Sequence, residues 1–117
     1  MKKASLFFAF MFMSLSFAFA QKTKSVEPAE VQIKTSAVCG MCKSKIEKDL
    51  SYEKGVMSSN LEVKTQIVTV KYNPKKTNPE KIRKAISKTG YDADAVTANP
   101  KAYEKLDACC KKDKGVH

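Results

Sequence analysis

Cys39 and Cys42 lie three positions apart, with Gly40 and Met41 between them. Two thiols at this spacing can direct both sulfur atoms at one ion while the loop folds around it. Thiolate is a soft ligand that selects Cu(I), Zn and related metals, whereas Mg and Ca take oxygen ligands. Two sulfur ligands satisfy Cu(I) or Hg(II), but Zn(II) usually takes four ligands. The pair therefore predicts a bound soft metal ion, with Cu(I) favoured and Hg(II) or Zn(II) as alternatives.

Other thiol chemistry is compatible with the same pair. A helix that starts at the loop would stabilise thiolate through its dipole, and a low thiol pKa favours nucleophilic attack as well as metal binding. In a redox protein Cys39 would attack a disulfide and Cys42 would resolve the product. A structural disulfide is a further alternative. A thioredoxin-like protein needs a strand order other than the one predicted below for this chain. We therefore expect a binding protein without catalytic residues, and not an enzyme.

A second pair, Cys109 and Cys110, lies near the C-terminus. Four cysteines in a secreted protein first suggest two disulfides, but two tight pairs are more typical of ligand or redox pairs. If the tail returns to the first pair, Cys109 or Cys110 could join a four-thiol site or accept the ion, which would favour Zn or Cd again. Otherwise they are lightly packed thiols. The single histidine, His117, is terminal and is not expected to be a ligand.

The elements that position the first pair can be predicted from the patterns on either side of it. Residues 30–35 alternate polar with apolar or β-branched side chains, which predicts a strand ending just before Cys39. Beyond the loop, apolar residues recur at helical spacing as far as Gly55, which predicts a helix over 41–54. Two further strands are predicted from their β-forming residues, over 56–63 and 65–72.

The second half of the chain continues this order. Residues 78–80, Asn-Pro-Glu, indicate a helix start with a cap, a proline in the first turn and an acidic side chain near the positive end of the dipole. This helix is expected to end at Gly90, followed by a fourth strand over 91–97 and a short C-terminal helix over 100–111. The order βαββαβ predicts an α+β, ferredoxin-like sandwich, in which two helices cover one face of a four-stranded antiparallel sheet.

The N-terminus is typical of a cleavable secretory signal. Two lysines are followed by a Phe- and Met-rich apolar stretch, and Ala18-Phe19-Ala20 fits peptidase cleavage before Gln21. The stretch is somewhat short for a spanning helix, which needs about 20 apolar residues, although an uncleaved anchor is the alternative. We therefore expect a periplasmic or secreted protein.

The chain is basic. Its formal net charge is +10, which falls to +8 without Lys2 and Lys3. This balance favours acidic partners or anionic surfaces. Nucleic acid is not expected as a partner, because the chain is predicted to be exported and its lysines are scattered and not interleaved with aromatic residues. The expected partner is a protein with an acidic docking face.

The run CGMCKSKIE at residues 39–47 resembles the metal loop and first helix of the heavy-metal-associated domain. The similarity covers about 31–97. The family includes copper chaperones, the N-terminal modules of copper-exporting P-type ATPases and periplasmic mercury-binding proteins. The resemblance implies that Cys39 and Cys42 are the metal ligands and that Tyr91 lies in a loop beside them. It also implies delivery or sequestration, with a metal-transporting membrane protein or another metal carrier as partner.

Two departures from the family pattern precede the first cysteine. The family usually places a methionine two residues before it and a glycine before that, where this chain has Ala37 and Ser36. Met41 is expected to pack inward in place of the missing methionine, or else to offer a weak thioether.

The metal-free protein is expected to be a monomer. Four segments are predicted: a signal peptide over 1–20, a flexible lead-in over 21–30, a heavy-metal-associated domain over 31–97, and a helical tail with the Cys-Cys pair over 98–117.

Overall fold

A computed structural model describes residues 27–117 of the chain. The predicted signal peptide, residues 1–20, and most of the predicted lead-in lie outside the described residues. Within the described part of the chain, no helix has both the length and the apolar character needed to cross a membrane.

Three antiparallel strands, β1 (29–34), β2 (56–62) and β3 (67–72), form a sheet with the order β1-β3-β2. Ile33 of β1 and Leu61 of β2 both lie opposite Val68 of the central strand, and all three side chains are buried. Alternate residues of a strand point to the same face, so these side chains form one apolar surface. The three predicted strands are confirmed, with bounds Ala29–Lys34 for β1, Val56–Glu62 for β2 and Ile67–Tyr72 for β3.

The helix α1 (Gly40–Ser51) begins at the cysteine loop and packs on the sheet. Its buried side chains are Cys42, Ile46 and Leu50. They recur every four residues and therefore lie on one face of the helix. The predicted helix over 41–54 is confirmed in type, but it ends earlier, before a turn at Tyr52. One loop cysteine is thus part of the buried face of α1.

The helix α2 (Pro79–Lys88) buries Ile82 and Ile86 against the same core. The Asn78 side chain accepts a hydrogen bond from the backbone N–H of Lys81 at 2.9 Å. This bond satisfies one of the amide donors that have no partner within the first turn of a helix. The predicted asparagine cap and first-turn proline are confirmed.

Residues 91–97 do not form the predicted fourth strand. Ala93 makes isolated bridges to Thr35 and to Val96, so the segment turns back on itself at the edge of β1. The reason lies in Asp94, which has a positive φ of 52°. Its carboxylate accepts a hydrogen bond from the last backbone N–H of β1 at 2.8 Å. A side chain thus accepts the hydrogen bond of a backbone amide of β1. The prediction of a four-stranded sheet is therefore wrong for the described residues.

The predicted C-terminal helix over 100–111 is also wrong in extent. A helix, α3, forms only over Pro100–Glu104. Asp107 has extended backbone and ends the helical path. Two 3-10 turns follow, Ala108–Cys110 and Lys112–Lys114. The extended residue redirects the chain, so the second cysteine pair is not on a continuous helix.

The tail, residues 98–117, packs back on the domain. Leu106 is buried in the common core. Gly90 has a φ of +106°, and a Cβ atom there would lie 3.0 Å from the carbonyl oxygen of Ala102, so glycine allows α3 to approach closely. Several hydrogen bonds attach the tail, among them Asn99 N–H to the Ser87 carbonyl (3.0 Å), Lys112 Nζ to Asp92 Oδ2 (2.9 Å) and His117 N–H to the Val38 carbonyl (2.7 Å).

Candidate metal centre

The loop between β1 and α1 holds Cys39 at the start of the helix. The residue has extended backbone, and its carbonyl accepts hydrogen bonds from the N–H groups of Cys42 and Lys43, both at 3.1 Å. Before it, the buried Ala37 donates its N–H to the Thr35 hydroxyl at 3.1 Å. The loop is therefore held by hydrogen bonds on both sides of Cys39.

Three cysteine sulfurs meet at this point, and we call Cys39, Cys42 and Cys110 the thiol cluster. The Cys39 sulfur lies 3.4 Å from that of Cys42 and 3.9 Å from that of Cys110. All three sulfurs lie within 4.8 Å of one another, and all three residues are buried. The tail thus returns to the first cysteine pair, as the sequence allowed.

The thiols of the cluster differ in acidity. Burial raises the pKa of the Cys39 thiol, but hydrogen bonds from the backbone N–H groups of Cys42 and Met41, together with the neighbouring thiols of Cys42 and Cys110, lower that pKa overall to about 7. For Cys110, burial raises the pKa well above its usual range, and the neighbouring Cys42 raises it further. Near neutral pH the cluster therefore holds one thiol that ionises readily and one that keeps its proton.

This difference predicts an early thiolate titration. In the reduced, metal-free protein we expect the ultraviolet absorbance of thiolate to rise with a first midpoint near pH 7, below the ordinary thiol pKa of 9.0. Because the folded-state pKa is the lower one, ionised Cys39 stabilises the fold above pH 9, and this stabilisation is lost as the pH falls through 7. The first step should vanish in Cys39→Ser. A wild-type titration with no step below pH 8 would contradict the assignment.

Tyr91 lies beside the thiol cluster, where the resemblance placed it. Its side chain is fully buried, and its hydroxyl has no hydrogen-bond partner of ordinary geometry within the described residues. Burial raises the pKa of this hydroxyl, and the nearby thiols of Cys42 and Cys110 raise it further. The hydroxyl is therefore a neutral donor, close to two sulfurs but not satisfied by either.

Removing this hydroxyl should not cost stability in the metal-free protein. A hydrogen bond typically contributes about 0.5–1.5 kcal/mol, but Tyr91 has none to lose, and leaving a buried polar group unsatisfied costs about 1–3 kcal/mol. We expect reduced, metal-free Tyr91→Phe to be as stable as the wild type or more stable in urea denaturation. Tyr52→Phe, at an exposed position, is the control. A loss of more than about 1 kcal/mol in Tyr91→Phe alone would show that the hydroxyl has a partner.

Cys109 and Met41 form a separate sulfur pair nearer the surface. The Cys109 thiol donates to the Met41 thioether at 3.5 Å, and the Met41 side chain is 54% exposed. The expectation that Met41 packs inward is therefore wrong. Its backbone position, one residue into α1, points its side chain away from the buried face that carries Cys42.

His117 lies at the edge of this region without joining the cluster. Its ring nitrogen Nδ1 contacts the Gly115 carbonyl at 2.8 Å.

An ion pair between Asp92 and Lys112 attaches the tail beside Tyr91 and is not predicted from the sequence. No spacing or motif connects two charged residues in separate loops, so the sequence contained no signal for this contact.

Comparison with known proteins places these features in a family. Residues 33–92, just over half of the chain, match the heavy-metal-associated domain. A copper-exporting P-type ATPase of Staphylococcus epidermidis is 35% identical over 75 residues, which make up 64% of this chain and 9% of the ATPase. The chain therefore spans less than a tenth of that relative, and the matched domain ends before Cys109 and Cys110.

Solved structures show the same relationship. The structure of the CopZ metallochaperone has a TM-score of 0.54 and 29% identity, covering 56% of this chain and 98% of CopZ. The water-soluble region of the P-type ATPase CopA from Bacillus subtilis has a TM-score of 0.55 and 33% identity, covering 59% of this chain and 46% of that one. With its α+β fold, its three-stranded antiparallel sheet and its cysteine-rich loop at the start of α1, the chain belongs to the heavy-metal-associated domain family.

Proposed function

We propose that the protein binds one Cu(I) ion between Cys39 and Cys42 and carries or sequesters it outside the cytoplasm. One observation carries the proposal: two buried thiols lie 3.4 Å apart at the N-terminus of a helix. The positive end of the helix dipole and the amides that face Cys39 favour thiolate there. Thiolate, in turn, is the ligand that soft cations prefer.

The donor set supports Cu(I) over harder ions. The cluster found within the described residues contains thiols alone, without an imidazole or a carboxylate. Zinc usually takes four ligands, and Mg and Ca take oxygen. The relatives also support copper, because they include a copper-exporting ATPase and a metallochaperone. Hg(II) remains the alternative for a detoxifying protein, and Zn or Cd would need a further ligand.

The proposed activity is transfer by ligand exchange, so the metal is cargo and the protein is not an enzyme. The partner would be a metal-transporting membrane protein or another metal carrier. Lys45 and Lys105 line a groove beside Cys110, and the chain is strongly basic. An acidic docking face would complement these charges and speed encounter.

The proposed location follows from the sequence of the N-terminus. A basic start, an apolar stretch and Ala18-Phe19-Ala20 are typical of a secretory signal cleaved near Ala20-Gln21. Export would place the protein in an oxidising compartment, where Cys39 and Cys42 could form a disulfide. A bound ion would protect both thiols, so the loaded form is the one suited to that compartment.

A thiol-disulfide redox protein is the second candidate. Two observations favour it: the pKa of Cys39 is lowered to about 7, and its sulfur lies 3.4 Å from a resolving thiol. Copper relatives and the third convergent thiol favour the metal carrier instead. Catalytic reduction of a small disulfide by the metal-free protein, at a rate that Cys42→Ser abolishes, would support the redox function.

Metal preference tests the proposed function. Reduced protein is incubated anaerobically with equal amounts of Cu(I) and Zn(II), freed of unbound metal and analysed for both elements. We expect one copper and no zinc per chain, because two or three thiols suit Cu(I) better than Zn(II). The double variant Cys39→Ser/Cys42→Ser is the control and should retain neither metal. Retention of zinc in preference to copper would contradict the proposal.

A further inference from the structure

We infer that Cys110, carried by the C-terminal tail, is the third ligand of a buried trigonal Cu(I) site completed by Cys39 and Cys42. The inference rests on the proposed function and goes beyond it. The tail lies outside the part of the chain that matches the family, residues 33–92. The third ligand is therefore a property of this chain and not of the shared domain.

The sulfur separations fit three-coordinate geometry. Three sulfurs about 2.3 Å from one ion lie about 4.0 Å apart in a trigonal plane, whereas two sulfurs in a linear arrangement lie about 4.6 Å apart. Cys39 lies 3.4 Å from Cys42 and 3.9 Å from Cys110, and the three sulfurs are all within 4.8 Å of one another. Changes of less than about 1 Å in these separations would therefore bring all three sulfurs to one ion.

Tyr91 provides an independent observation. Its hydroxyl is buried and has no hydrogen-bond partner among the described residues, although the thiols of Cys42 and Cys110 are its neighbours. A protonated thiol is a weak acceptor, whereas a metal-bound thiolate is charged and accepts a stronger hydrogen bond. Binding of Cu(I) by both cysteines would thus satisfy a donor that the metal-free protein leaves unpaired.

The neighbouring Cys109 is not equivalent. Its sulfur contacts the Met41 thioether at 3.5 Å and it is only partly buried, while its carbonyl accepts from the Cys39 thiol at 3.4 Å. The 3-10 turn over Ala108–Cys110 directs the two adjacent side chains differently, with Cys110 alone buried in it. Cys109 is therefore a matched control one residue away.

The third ligand lies on a C-terminal arm, residues 107–117, which follows the buried Leu106. The Lys112–Asp92 ion pair and the His117 N–H bond to the Val38 carbonyl both attach this arm on the C-terminal side of Cys110. During release, the copper–sulfur bond to Cys110 breaks as one to a partner's thiol forms. The proton of that thiol moves to Cys110, and copper remains Cu(I). Displacement of the arm would thus expose the ion to a partner.

X-ray absorption spectroscopy of the Cu(I)-loaded protein tests the inference, together with chelator competition. We expect three sulfurs around copper in the wild type and in Cys109→Ser, and two in Cys110→Ser. Cys110→Ser should weaken Cu(I) binding by about ten- to a hundredfold, less than the loss of a loop cysteine because two sulfurs still satisfy Cu(I), whereas Cys109→Ser should stay within about threefold.

Two sulfurs around copper in the wild type, or equal weakening of Cu(I) binding in Cys109→Ser and Cys110→Ser, would overturn the assignment of Cys110 as third ligand. The proposed function would still stand. Absence of Cu(I) binding by the wild type would overturn both. Retention of copper on two sulfurs in Cys110→Ser shows that the cysteine loop of that variant is folded. A misfolded variant is thereby distinguished from one that has lost a ligand.

Discussion

Replacing either Cys39 or Cys42 by serine is expected to weaken Cu(I) binding by about two to three orders of magnitude. Four-ligand structural zinc sites bind with about 10–16 kcal/mol, so each ligand contributes about 2.5–4 kcal/mol, and each 1.4 kcal/mol is tenfold in affinity. A hydroxyl is a hard, protonated donor at neutral pH and does not replace a thiolate on a soft ion. The two thiols lie 3.4 Å apart, so each variant removes one side of the pair.

Competition with a Cu(I) chelator under anaerobic conditions measures these affinities. Met41→Leu is the control, because it changes the same loop at an exposed side chain that contacts Cys109 and keeps the backbone N–H that faces Cys39. Its affinity should stay within a fewfold of the wild type. If Cys39→Ser and Cys42→Ser bound Cu(I) as tightly as Met41→Leu, the ligands would have to be sought elsewhere in the chain.

Gly90→Ala is expected to destabilise the fold by about 2 kcal/mol or more. Gly90 has a φ of +106°, and a conformation of this kind costs a residue with a side chain about 1–3 kcal/mol. The new Cβ would also lie 3.0 Å from the carbonyl oxygen and 3.1 Å from the carbonyl carbon of Ala102. Both contacts are with the backbone of α3, so relief requires α3 to move away from the domain.

Urea denaturation of the reduced, metal-free protein measures this effect. Gly40→Ala is the matched control, because a Cβ at Gly40 meets no atom within 4 Å and the residue is the first of α1. Alanine in a helix is favoured over glycine by up to about 1 kcal/mol, so this variant should be equally or more stable. Equal unfolding midpoints for Gly90→Ala and wild type would mean that the tail does not pack on Gly90.

Local patterns predicted most of the domain. Alternating side chains identified β1, and the Asn78 cap with its proline fixed the start of α2. The predicted fourth strand does not form, because Asp94 adopts a positive φ and its carboxylate accepts a hydrogen bond from β1. No pattern of apolar residues reveals this contact. The predicted C-terminal helix is shorter than expected, because the extended Asp107 interrupts a segment of suitable composition. In both cases tertiary contacts determine where the chain turns.

The candidate site was predictable only as far as it is local. Cys39 and Cys42 lie within one turn of chain, so their spacing alone indicated convergence. Cys110 approaches Cys39 across 71 positions, and the sequence permitted that return without specifying which of two adjacent cysteines would face the loop. The choice depends on the burial of Leu106 and on the turn that follows it. Neither has a local signature.

An anaerobic titration of the reduced protein with Cu(I), in competition with a chelator of known affinity, shows whether Cys39 and Cys42 form a Cu(I) site. Thiolates of the buried cluster should bind one ion per chain with an affinity that depends on Cys39 and Cys42. We expect a sharp end point at one equivalent, which is absent from the double variant Cys39→Ser/Cys42→Ser. No thiol-dependent binding, together with catalytic reduction of disulfides by the wild type, would contradict the metal carrier and favour the redox protein.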